Sequence, residues 1–146
     1  MAEYLLSRRL GTDSGWKVSS AGLSAGSGMT ASKSAVDALK ELGVNLAPHR
    51  SKPMSDDLAD EATIIVTMTA AQREQLQTLY PKLAGKTYLL KSFDPSSPDT
   101  DVEDPIGSSA ETYCQIRDSI SAALPGLVSY MKTFTEGVNG RNCRNE

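Results

Sequence analysis

Apolar positions along the chain fall into two rhythms, one helical and one extended. In MAEYLLSRRLG, Leu5, Leu6 and Leu10 share one helix face while Arg8 and Arg9 turn to water, and Gly11 stops the run. The same spacing returns over residues 34–43, where Ala35, Val36, Leu39 and Leu42 recur at helical intervals and Gly43 ends the helix. WKVSSAGL, residues 16–23, reads as a strand ending in small residues, and a Gly/Ser/Ala loop follows it. Residues 55–61 form a short helix capped by Ser55. ATIIVTMT, residues 62–69, is β-branched and apolar without alternation, as in a parallel strand covered on both faces. A helix over residues 70–80 is broken by Pro81, and KTYLLKSF, residues 86–93, is another strand.

Residues 94–109 make a long acidic loop with three prolines, of the kind that often carries function. A long helix over 110–132 sets Ile116, Ile120, Ala123, Leu127 and Tyr130 on one side, and Pro125 is expected to bend or restart it. TFTEGVNGRNCRNE, the end of the chain, is polar and Gly/Asn-rich and reads as a mostly disordered tail, so the domain is expected over 1–131 with 132–146 outside it.

Helix and strand alternate, which predicts an α/β domain of three layers: a parallel sheet with helices on both faces and a ligand site at the carboxyl ends of the strands. A length of 146 residues suits one domain. The net charge is −3 with Lys and Arg scattered, so nothing draws the chain to nucleic acid or an anionic membrane. No apolar run spans a bilayer and no signal-peptide core opens the chain, which points to the cytoplasm. Two cysteines, Cys114 and Cys143, make no disulfide framework. With one histidine, no Cys-x-x-Cys and no His-Glu-x-x-His, neither a metal nor another cofactor is expected.

Three stretches taken in order, WKVSSAGL, LGVNLAPHRSKPM and VEDPIGSSAETYCQIRDSI, with ATIIVTMT between them, resemble the low-molecular-weight protein-tyrosine phosphatases, most closely the bacterial branch that includes protein-arginine phosphatases. The resemblance runs from Met1 to about Met131. It implies hydrolysis of a phosphomonoester in two steps: a cysteine thiolate attacks phosphorus, an Asp-Pro aspartate protonates the leaving group, and water cleaves the phosphocysteine. The family's nucleophile lies in a Cys-x5-Arg-Ser loop whose N–H groups and arginine hold the phosphate, between a first, central strand and the first helix. Met1-Ala2-Glu3 resembles the start of that helix, so the first strand and the loop are expected to be missing, with lower stability than a full-length relative.

On this resemblance Asp104, before Pro105, is the general acid, and its neighbours Asp99, Asp101 and Glu103 would favour its protonated form while themselves being only solvated. Ser20 and His49 match positions that support the phosphate loop, and Arg50 is a surface charge. Ile106 and Gly107 stand where tyrosine-specific relatives carry an aromatic pair, which leans toward phosphoarginine or another small phosphate, and Thr69 stands where animal members carry an acid, which favours the bacterial branch. Cys114 is followed six residues on by Ile120, and Cys143 lies too near Glu146, so neither makes Cys-x5-Arg and no nucleophile is assigned. Cys114 is read as a packed thiol on the long helix.

The tail NGRNCRNE also resembles a degraded copy of the loop, with Gly140, Cys143 and Arg144 in place and Val138 at the nucleophile's position; TFTEGV would then be the absent strand, as in a circular permutant. The expected partners are a phosphorylated protein or a small phosphate or oxyanion, met by a monomer. Two functional classes stay open: a phosphatase whose full product contains the loop, or a non-catalytic pseudo-phosphatase that binds a phosphorylated partner. A flavodoxin-like ligand domain lacks an intact phosphate loop here, and arsenate reduction needs the same nucleophile plus a further redox cysteine.

Overall fold

The computed structural model describes residues 1–139. In chain order the elements are α1 (Ala2–Leu10), α2 (Lys33–Lys40), α3 (Asp56–Glu61), β1 (Ile65–Thr67), α4 (Ala70–Leu79), β2 (Thr87–Leu89) and α5 (Ala110–Asn139), with short 3₁₀ helices at Pro81–Lys86 and Leu90–Phe93. The class is α/β as expected: β1 and β2 pair in parallel, Ile65 beside Thr87 and Thr67 beside Leu89, with α4 in the crossover between them.

Local signals place most helix ends. Ser32 caps α2, its hydroxyl accepting from the Ala35 N–H at 3.3 Å. Gly43, at φ +70°, closes α2: its N–H donates to the Lys40 carbonyl and the Val44 N–H to the Leu39 carbonyl. Ser55 caps α3 as expected, accepting from the Leu58 N–H at 3.3 Å. Pro81 ends α4 and opens the 3₁₀ helix.

The strands are shorter than the pattern suggests. Residues 62–69 yield only Ile65–Thr67, because Ala62 ends α3 and Thr69 caps α4. The missing alternation has the expected cause, two covered faces. Ile64, Val66 and Met68 pack against the main core of Leu39, Leu46, Leu90, Ile120, Leu124 and their neighbours, while Ile65 packs against a second cluster of Ala59, Leu76 and Leu83. Residues 86–93 give only Thr87–Leu89. The chain then winds into a 3₁₀ turn, where the Ser92 hydroxyl donates to the Leu89 carbonyl at 2.6 Å.

Residues 16–23 correct the strand expectation. They run without a ladder, and their one sheet-like contact is an isolated parallel bridge between Gly22 and Pro53. A strand exists only where a neighbour supplies its N–H and C=O partners, and among the described residues none does so for 16–21. The described sheet is therefore two-stranded.

The C-terminal expectation is also corrected. Helix α5 continues across Pro125 without restarting and runs to Asn139, so Thr133–Val138 are helical rather than a tail or a strand. A buried stripe of Ile120, Ala123, Leu124, Leu127 and Met131 spans the proline, and this packing outweighs the lost N–H donor. Past the stripe, Phe134 meets Trp16 edge-on with centroids 6.4 Å apart. The helix excludes TFTEGV as a substitute strand; Gly140, Cys143 and Arg144 lie outside the described residues.

Arg117 locks α5 to α2. Its guanidinium, 9% exposed, donates to the Ala38 carbonyl at 2.8 Å and pairs with Glu41 at 2.7 Å and Asp118 at 2.8 Å. Hydrogen bonds to Asp118 and Glu41 push its pKa up, further into the charged range. The two carboxylates are mostly exposed, so on Arg117→Ala they return to water at little cost. The Ala38 carbonyl would lose a buried partner, so urea unfolding of this variant is expected to show a loss of about 1–3 kcal/mol.

Candidate active site

The sequence-predicted residues occupy three segments, and the structure joins two of them directly. The Ser20 hydroxyl donates to Glu3 in the first turn of α1, and His49 Nδ1 lies 3.7 Å from the same Glu3 oxygen. The His49 ring also meets Tyr4 edge-on, with centroids 5.8 Å apart. Glu3 is thus the hub that gathers Ser20 and His49 around the opening of a helix that has no side-chain cap. A helix start of this kind favours an anion, through its free N–H groups and the positive end of its dipole.

His49 is positioned by its own turn. Its N–H donates to the Leu46 carbonyl, and the Arg50 guanidinium donates to the carbonyls of Ala47 and His49 at 3.0 and 2.7 Å. Arg50 therefore holds the turn. The next residue, Ser51, is stitched to the Gly-rich loop: its hydroxyl donates to the Gly26 carbonyl at 2.5 Å and accepts from the Met29 N–H at 3.0 Å. This leaves the Met29 side chain 64% exposed. Lys52 donates to Ser19 at 2.5 Å, which fixes the segment carrying Ser20.

Asp104 sits on the acidic loop, exposed. One carboxylate oxygen accepts from the Ile106 N–H at 3.0 Å, and the side chain makes no hydrogen bond or ion pair with Glu3, Ser20 or His49. The loop is held at three points. Asp94 is buried at its start and accepts from the Ser96 hydroxyl at 2.6 Å and the Ser96 N–H at 3.0 Å. Asp101 accepts from the Ala70 N–H at 2.9 Å, at the start of α4. Val102 is buried, and its N–H donates to the Met68 carbonyl at 2.8 Å. Asp104 is thereby carried two residues beyond an anchor at the carboxyl end of β1, the end where α/β folds place their ligands.

Asp101 corrects the expectation that the other loop acids are only solvated, since it caps a helix N-terminus. Thr69 likewise has a structural task, accepting from the Gln72 N–H at 3.1 Å as the N-cap of α4. Glu3 is the residue to which sequence reasoning gave no role; its signals were its place in the first turn of α1 and in the Met1-Ala2-Glu3 stretch that resembles the start of the family's first helix. Cys114 is a free thiol on α5. Burial, and then the Glu41 carboxylate, push its pKa up, the wrong direction for a nucleophile.

Asp94 supplies a pH test of this loop. The Ser96 hydroxyl, then the Ser96 N–H and the Lys91 charge, hold the Asp94 carboxyl below its ordinary value. A depressed folded pKa adds stability that is complete above the unfolded value, about 3.9, and is lost as pH falls through the folded one. Asp94→Asn is expected to flatten the loss of stability below about pH 4, read as urea midpoint against pH.

Among the described residues no group of His, Cys, Asp and Glu side chains could hold a metal ion, and no helix is long and apolar enough to cross a membrane.

A family model described as low molecular weight phosphotyrosine protein phosphatase matches residues 1–137. A protein-arginine-phosphatase of Geobacillus stearothermophilus is 34% identical over 119 residues, which cover 82% of this chain and 79% of the relative. In three dimensions the YwlE arginine phosphatase from Geobacillus stearothermophilus is similar with a TM-score of 0.83 and 32% identity, covering 93% of this chain and 86% of that one. A low molecular weight protein tyrosine phosphatase from T. tengcongensis is similar with a TM-score of 0.78 and 32% identity, over 88% of each chain.

Proposed function

Because the chain belongs to the low molecular weight phosphotyrosine protein phosphatase family, we propose that its site takes the phosphoryl group of a phosphorylated protein, with Asp104 as general acid and Ser20 and His49 as supports of the phosphate-holding loop. The observation that carries this reading is the convergence of Ser20 and His49 on Glu3 at the uncapped start of α1, in a fold shared with phosphatases. A phosphoryl oxygen would meet helix N–H groups there, and an Asp-Pro carboxyl on an anchored loop would supply the proton to the departing atom.

The 146 residues contain no Cys-x5-Arg. In this reading they hold and orient a phosphate but do not attack it, so on their own they act as a binding module, not a catalyst. Phosphoarginine is favoured over phosphotyrosine. Ile106, 77% exposed, is an aliphatic side chain that offers a flat ring no aromatic stacking partner, and the arginine phosphatase of Geobacillus is among the relatives. The free thiol Cys114 suits a cytoplasmic site of action.

Hydrolysis of p-nitrophenyl phosphate and of a phosphoarginine peptide tests the reading. The 146-residue chain is expected to show no turnover. The same chain with an apolar strand and a Cys-x5-Arg-Ser loop fused ahead of Met1 is expected to turn over both. Turnover by the unfused chain would contradict the reading, and so would an inactive but folded fusion.

A further inference from the structure

The end of α1 remote from Glu3 carries a second feature. A surface cavity of about 330 Å³ lies between α1, the Leu42 turn and α5, lined by Leu5, Arg8, Arg9, Leu42, Ser121 and Leu124. Its floor is the buried faces of Leu5 and Leu124, and its wall is Leu42, an apolar side chain left 39% exposed. The following residues of the same turn, Gly43, Val44 and Asn45, line a cavity of about 290 Å³ together with Val36 and Lys40. Arg8 ties the two together: its guanidinium donates to the Leu42 carbonyl and stands 3.8 Å from where a Gly43 Cβ would be.

The charges around this face are one-sided. Arg9 and Lys40 make no ion pair or side-chain hydrogen bond among the described residues, and Arg8 is bonded only to a backbone carbonyl. The nearby acids are already engaged, Asp37 of α2 by Lys33 and Glu41, just past its end, by Arg117. A chain of net charge −3 therefore presents three cations without carboxylate partners among the described residues, beside an apolar recess. The positions of Arg8, Arg9 and Lys40 in the last turns of α1 and α2 complement the helix dipoles, but that leaves Leu42 and the two cavities unexplained.

We propose that this face is a docking site for an acidic segment of a partner protein, one that sets a leucine-sized side chain against Leu5, Leu42 and Leu124 and carboxylates against Arg8, Arg9 and Lys40. Two recesses lined by neighbouring residues of one turn, Leu42 in one and Gly43 to Asn45 in the other, with cations at both, fit an extended segment better than a small anion, which would occupy one. Neither recess includes Glu3, Ser20, His49 or Asp104, so the inference stands apart from the phosphatase reading.

The test is a fluorescence-anisotropy titration of the full chain with a labelled amphipathic peptide, leucines on one face and glutamates on the other. The chain is expected to bind it, more weakly as salt rises. Arg9→Glu and Leu42→Asp are each expected to weaken binding about tenfold or more, with Lys17→Glu as the control that changes it little. Circular dichroism confirms that each variant is folded. Failure of the peptide to bind, or equal losses in Lys17→Glu, would overturn the proposal. So would binding to anionic lipid vesicles that is stronger than binding to the peptide and has the same dependence on Arg9 and Leu42.

Discussion

In a chain fused to the cysteine loop, Asp104→Ala is expected to lower kcat on a phosphoarginine peptide by about 10²–10⁴-fold, with KM little changed. The departing nitrogen or oxygen of a protein phosphoryl group is a poor leaving group until it gains a proton, and in the proposed reading Asp104 gives it. On p-nitrophenyl phosphate, whose leaving group departs readily as an anion, the same variant is expected to lose much less. Asp104→Asn separates the proton from the shape of the loop. An amide oxygen can still accept from the Ile106 N–H, now made at 3.0 Å, but the side chain has no acidic proton to transfer. Asn is therefore expected to fall as far as Ala on the peptide. Recovery of activity in the Asn variant would mean that Asp104 only shapes its turn.

The largest effect on folding is expected from Gly126→Ala. A Cβ at this position would lie 2.0 Å from the Phe93 carbonyl oxygen and 3.0 Å from its carbon. Both are backbone atoms of the 3₁₀ helix Leu90–Phe93, so no side chain can rotate away. Helix propensity alone would make the change stabilising by about 1 kcal/mol. Relief of the contact instead requires α5 to move off the Leu90 segment. That movement disturbs Leu90 and Leu127, both buried, and the ring cluster in which the Tyr88 and Tyr130 hydroxyls are 2.7 Å apart with Phe93 against both rings. The net loss is expected to be about 2 kcal/mol or more, read as a lower urea midpoint at unchanged slope. Gly85→Ala is the control: its Cβ meets nothing within 4 Å, and its stability is expected to stay within about 0.5 kcal/mol.

The elements that could be read from the chain are those whose causes lie within a few residues. Helix α2 carries its own cap in Ser32 and its own stop in Gly43, and α3 its cap in Ser55. Pro81 ends α4 whatever surrounds it. The unbroken apolar run at Ile64–Met68 announced two covered faces, because each residue of a strand points to one face and both had to be fed. Asp104 stands out in the chain through its Asp-Pro motif, and Ser20 and His49 through the family resemblance, but that the last two meet at Glu3 could not be read there.

What tertiary structure alone decided are the properties that need a partner from far along the chain. Residues 16–21 have strand composition but no ladder among the described residues, since strand formation depends on a neighbour and not on propensity. Thr133–Val138 read as tail and are helix, continuing a helix docked on the core through Met131 and meeting Trp16 through Phe134. A sequence separation of 17 hides the hydrogen bond between Glu3 and Ser20, and one of 31 the cap between Ala70 and Asp101. Local propensity and capping act over one or two turns and are written in the order of residues. Hubs such as Glu3 and the one-sided basic face around Leu42 form only when packing brings distant segments to the same few ångströms.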